Sequence, residues 1–186
     1  MRTEHKCAAS LPPARRADHA ALQEHFHAEG WTDGRPVVPP TPDAVRAALD
    51  WALRAPDHLI GVEPVRQRPV TAEKVAINAV MAGCLPMHLP VVVPAVTGML
   101  SEPFLLHGAT ASTGGCAVLV LVNGPIRRER RMDATFNAVG PSDRASTCIG
   151  RAIRLVLGNL LDVRPGQLDR ATLGPPGKIS FCLAED

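Results

Sequence analysis

The chain has 186 residues, enough for one domain that buries about two-thirds of its unfolded surface. Aromatics are only 3% and Tyr is absent, so Ala, Val, Leu and Ile must build the core, and base stacking on aromatic platforms is disfavoured. A net charge of +2 lacks the basic footprint of a nucleic-acid binder. The one basic cluster, Arg127-Arg128-Glu129-Arg130-Arg131, reads as a solvated loop or as a surface for an acidic partner.

Residues 1 to about 15 read as a disordered lead, followed by a single globular domain over 16–186. Asp18 to Glu29 is a short helix stopped by Gly30, and Trp31 to Thr41 is extended and stiffened by proline. Thr41-Pro42-Asp43 starts the next helix with an N-cap, a first-turn Pro and a first-turn acid. That helix turns Val45, Leu49 and Leu53 inward and ends near Ala55-Pro56. His58 to Val62 is a strand and Glu63 to Val70 a loop. Thr71 caps a helix that runs to Gly83-Cys84.

No Asp, Glu, Lys or Arg occurs from Val75 through Ser101. That length raises the question of a membrane span. Pro86, Pro90 and Pro94, with Asn78, His88 and the Gly83-Cys84 break, point instead to two buried helical pieces. The second runs to Leu100, although Val91-Val92-Val93 also fits a strand. Leu105 to Ala111 and Ala117 to Val122 read as strands, the latter central and covered on both faces. Asn123-Gly124-Pro125 is a sharp turn. Ser146 to Leu161 is the clearest helix, with Ile149, Ile153, Val156 and Leu160 on one face. Ile179 to Leu183 closes the chain as a strand. The expected class is α+β: one small mixed or antiparallel sheet of about four to five short strands packed with four to five helices.

Five cysteines, at 7, 84, 116, 148 and 182, include no Cys-x-x-Cys pair. A structural zinc site or a thioredoxin-type dithiol therefore has no local signature. The odd count, and a start without an apolar signal core, lead us to expect a reduced, cytoplasmic chain. Cys84 stands at a helix C-terminus, where the dipole raises a thiol pKa. As a reagent it needs a cation from elsewhere, such as His88, His107 or an Arg; otherwise it is buried filler. Glu73 lies about 16 Å up the same helix and cannot pair with it there. A zinc site from Cys84, His88 and His107 is an alternative, but no metal set is convincing. Asn78, inside an apolar helix, must bond something. Asn123 sits at a strand end. Asn137 opens the loop before the clearest helix, where Gly140, Ser142, Arg144 and Arg151 can receive an anion. The plainer reading there is capping by Ser142 or Ser146 and surface pairing of the two Arg. No nucleotide, flavin or nicotinamide fingerprint is present, so no cofactor is expected.

Gly30 to Thr41, Glu73 to Cys84, Val122 to Pro125, Ile149 to Ala152 and Asp169 to Lys178 together resemble a bacterial family of unassigned reaction. Its members are similar to neighbours or fusion partners of thioredoxin-like selenoproteins with a UGSC motif. The resemblance covers roughly Gly30 to Glu185. It implies thiol-linked small-molecule chemistry and marks Asp33, Glu73, Asn78, Cys84, Asn123, Asn137, Gly150 and Arg151. Leu85-Pro86-Met87-His88 and Ser146-Thr147-Cys148 depart from the family pattern.

These readings lead to an enzyme for a small, carboxylate-bearing substrate, working by cysteine-dependent lyase, addition or thiol-redox chemistry. Cys84, Glu73 and His107 are the expected catalytic groups. Asp33, Asn78, Asn123, Asn137, Arg144 and Arg151 are expected to bind substrate. The alternative is a non-catalytic partner of a thioredoxin-like protein, docking through Arg127–Arg131. Neither nucleic acid nor membrane is expected as a partner, and Gly150 and Gly158 permit a homo-oligomer by close helix approach.

Overall fold

In the computed structural model, residues 19–141 and 143–186 are described; the expected lead, Cys7, Asp18 and Ser142 lie outside them. Helix α1 (His19–Ala28) ends as its sequence demands. Gly30 takes φ +68, and the Trp31 N–H returns to Phe26 O at 3.0 Å, a left-handed stop. Its buried Gln23 bonds both backbone groups of Val37 at 2.9 Å, fixing the extended segment. Helix α2 (Pro42–Ala52) is capped by Thr41, whose side chain accepts from Ala44 N. Val45 and Leu49 are buried as expected, but Leu53 is 84% exposed. It occupies the left-handed C-cap, which ends the helix early and swings the side chain out.

Strand β1 (Leu59–Glu63) pairs antiparallel with β2 (Arg68–Thr71). Thus part of the expected loop is a strand; Pro69 fits because this two-stranded ribbon has free edges. Glu63 is fully buried and accepts from Arg66 N at 2.7 Å and Arg66 Nε at 3.1 Å. Helix α3 (Ala72–Met81) follows directly. Thr71 sits at its N-cap position without a side-chain cap bond; instead the Ala72 and Glu73 amides donate to His58 O and Pro56 O. Beyond its first turn α3 is buried on every face.

Helix α4 (Leu89–Leu100) holds Pro90 in its first turn and Pro94 inside, so the helical reading of the valine run stands. No single helix among the described residues is long and apolar enough to cross a membrane. Leu105 to Ala111 was expected as a strand and is instead helix α5 (Leu106–Thr110). Strand β3 (Val120–Val122) precedes helix α6 (Pro125–Glu129), then α7 (Arg144–Asn159), then β4 (Cys182–Ala184). β3 and β4 pair in parallel, Val120 opposite Cys182 and Val122 opposite Ala184. β3 is not a central, doubly covered strand, because Leu121 is 55% exposed and β4 is its one partner among the described residues.

The class is mixed helix and strand, but the described residues form seven α-helices and two separate two-stranded sheets rather than one sheet of four or five. The core is helical. α7 packs along α3, α4 crosses both, and α2 closes one side. Asp143 caps α7 by accepting from Ser146 N at 2.7 Å, so Ser146 is not the cap residue. At the far end Arg66 donates to Leu161 O and Arg68 donates to Leu160 O at 3.3 Å. Two hairpin cations thus satisfy carbonyls at the negative end of α7. Gly150 permits a close approach, but within the chain: a side chain there would stand 2.6 Å from Phe181 N.

Candidate functional site

At the end of α3, Gly83 takes φ +92, and the Cys84 N–H turns back to Ala79 O at 3.0 Å. Arg144, from the first turn of α7, grips Gly83 O through Nε at 3.1 Å and Nη2 at 2.8 Å. The cation near Cys84 is therefore Arg144 rather than either histidine. Burial pushes the half-buried Cys84 thiol well above its usual 9.0; Cys148 adds to the rise and Arg144 offsets part of it. Cys148 is raised by burial too, against the charge and hydrogen bond of Arg144. Cys182, buried on β4, is pushed up to about 12 by burial. These thiols are protonated at neutral pH, which makes Cys84 a poor ready nucleophile. His88 is buried and accepts from Leu85 N at 3.2 Å. Burial and the Arg144 charge hold it below 6.5, hence neutral. Cys84, His88 and His107 make no metal set; among the described residues no group of three or more His, Cys, Asp or Glu could hold an ion.

The other expected residues do not meet around Cys84. Arg151 is committed to Asp33 by two hydrogen bonds, of 2.9 and 2.7 Å, and donates to Pro36 O at 2.8 Å. Burial pushes the Asp33 carboxyl up, but Arg151 outweighs it and the net shift is downward. Asn78 accepts from Asn159 Nδ2 at 2.7 Å and donates to Lys74 O, while Asn159 also donates to Trp31 O. Both networks tie the Trp31 segment to the helices. Glu73, expected to line a pocket as a buried acid, is exposed on the first turn of α3. Asn123 is exposed and donates weakly to Glu185 at 3.4 Å. Asn137 is exposed with φ +53. His107 keeps a buried Nδ1 that has no hydrogen-bond partner among the described residues.

Hollows lie elsewhere, beside α7, and Arg154 borders two of them. One hollow of about 30 Å³ is lined by Thr110, Cys116, Arg154, Asp169 and Lys178 among others. The second, about 160 Å³, is lined by Thr32, Asp33, Arg154, Gly158, Asn159 and Arg164 among others. A void of about 150 Å³ takes up a benzene-sized guest. Asp169 is held by Lys178 Nζ at 2.7 Å and by Ala171 N at 3.2 Å. Burial raises its carboxyl, but those bonds and the Lys178 and Arg154 charges bring it below 3.8. The Arg154 side chain is 17% exposed and stands 4.0 Å from Asp169 Oδ2; it makes no hydrogen bond to the described residues.

Sequence reading missed Arg154, Cys116 and the Asp169–Lys178 pair. A signal for Arg154 was present: a guanidinium between Ile153 and Leu155, on the helix whose apolar face is broadest. The Arg127–Arg131 cluster, expected as a solvated loop or a partner surface, begins on α6 and spends much of its charge on other parts of the chain. Arg127 is buried and pairs with Asp186, Arg128 reaches Asp186 at 3.6 Å, and Arg130 lies 5.6 Å over the Trp51 ring. The chain matches no family model, no curated protein and no solved structure, so the family resemblance rests on the motifs alone.

Proposed function

We propose that the protein is a small-molecule enzyme for a carboxylate-bearing substrate, seated beside Arg154 of α7. The observation that carries this reading is the unspent guanidinium. Arg144 and Arg151 already grip acceptors of the chain, whereas Arg154 borders a hollow of about 160 Å³ and has one loose ion pair. A largely desolvated guanidinium favours a two-oxygen acceptor that it can meet with two parallel bonds. About 160 Å³ suits a guest of roughly six non-hydrogen atoms.

For cysteine-dependent lyase, addition or redox chemistry, the thiol beside this site is Cys116. It is exposed and free, and it lines the smaller hollow, which Arg154 also borders. Cys84 borders neither hollow. Calorimetric titration with a panel of small mono- and dicarboxylates tests the binding step. Saturable binding is expected, and Arg154→Gln should weaken it by about 30-fold, roughly 2 kcal/mol. Equal affinity in the variant, or no uptake of any carboxylate by the wild type, removes the reading.

A further inference from the structure

We propose that Cys148 and Cys84 are an oxidisable thiol pair, closed into a disulfide by a low-molecular-weight disulfide. The pair is independent of the Arg154 site. Three free thiols, Cys84, Cys148 and Cys182, gather where the end of α3 meets the start of α7. Cys148 Sγ lies 3.4 Å from the point where a side chain on Gly83 would begin, one residue from Cys84. Arg144 joins the two sides: it donates to Gly83 O from the α3 end, and its charge acts on the Cys148 thiol one turn along its own helix. Cys84 and Cys148 are half-buried, and Arg144 is exposed above them, so a small reagent reaches this cluster from solvent. Gly83, at φ +92, is the link whose backbone freedom lets Cys84 turn toward its partner.

The chemistry is two thiol–disulfide exchanges. The Cys148 thiol gives its proton to solvent, and the thiolate attacks one sulfur of the reagent RSSR. The reagent S–S bond breaks, and RS⁻ leaves and is protonated to RSH. Cys84 loses its proton in turn and attacks the Cys148 sulfur of the mixed disulfide, expelling the second RSH. Two protein thiols are oxidised to one disulfide, and one RSSR is reduced to two RSH. Cys148 acts first because the Arg144 charge, one turn away on the same helix, steadies its thiolate. Cys182 is buried beneath the pair and takes no part.

The full chain is incubated with oxidised glutathione, alkylated, and mapped by mass spectrometry without reduction. The expected product is a peptide linked through Cys84 and Cys148, with two hydrogens lost. The Cys84→Ala variant should stop at a glutathione adduct on Cys148, and Cys148→Ala should yield no linked peptide. The exposed Cys116 serves as an internal control for reagent. Cys84 and Cys148 still free once Cys116 is fully modified, or a link to Cys182 instead, overturns the proposal. The readout needs no catalytic assay and stands whether or not a carboxylate binds at Arg154.

Discussion

Arg151 and Arg154 stand one turn apart on α7, and their surroundings divide the molecule into a closed region and an open one. Around Arg151 the donors find acceptors: the two oxygens of Asp33 and the carbonyl of Pro36. Beside it the amides of Asn78 and Asn159 are matched in the same way. Around Arg154 there is space, a Lys178–Asp169 pair that is complete without it, and an ion pair stretched to 4.0 Å. The same side chain thus serves as a staple in one place and is left for a guest in the other. Chemical type does not separate the two; the supply of acceptors does.

The largest expected effect breaks the closed side. Asp33→Ala leaves Arg151, 13% exposed at its side chain, as a buried charge without its carboxylate. That should cost about 3–5 kcal/mol in urea unfolding. Arg154→Gln should change stability by no more than about 1 kcal/mol, and the sign can favour the variant, since an underpaired charge leaves the interior. If the two variants lose equal stability, the contrast between the regions fails. Next in size is Asn78→Ala, which strips Asn159 of an acceptor and should cost about 1–3 kcal/mol, read as a lower denaturant midpoint at an unchanged slope.

The closed side was partly legible in the sequence and the open side hardly at all. Asn78 in an apolar helix announces that it must bond something. Its partner Asn159 lies 81 residues away, and Arg151 meets Asp33 at 118; no local pattern encodes such pairings. Start signals at Thr41-Pro42-Asp43 and Thr71 located α2 and α3, and the apolar period located α7. It failed where elements are short: the five residues of α5 fit either period, and Pro69 hid β2. Glu73 showed the limit of spacing. An acid in a helix's first turn is also what a solvated N-terminus favours, and the structure exposes it. Hollows arise from what neighbouring elements leave unfilled, so the space beside Arg154 has no signature along the chain.

Carboxylates held by charged partners make the fold sensitive to acid. Asp33, Glu63 and Asp169 are all shifted below their ordinary values, 3.8 for the aspartates and 4.5 for the glutamate. A depressed folded pKa adds stability above the unfolded value, and that gain is lost as pH falls through the folded one. Thermal midpoints should therefore hold down to those ordinary values and fall at lower pH; Asp33→Asn should flatten the acid side. The buried thiols act at the other end. Cys84, Cys148 and Cys182 are raised, so stability should decline as pH climbs beyond 9.0, where the unfolded thiols ionise first. A midpoint flat from pH 2 to 11 contradicts both assignments.

The smallest effect is the sharpest probe of the open side. Gly158 borders the larger hollow, and a side chain added there meets nothing within 4 Å. Glycine costs a helix stability relative to alanine, so Gly158→Ala should stabilise the protein by about 0.5 kcal/mol and raise its melting temperature slightly. The same methyl group projects into the space that a guest of Arg154 needs. The variant should therefore be steadier than the wild type while binding a small carboxylate less tightly, a pairing that general damage to the fold does not produce. If affinity is unchanged while the melting temperature rises, the hollow is not where the substrate sits, and Arg154 would have to meet it from the Lys178 side alone.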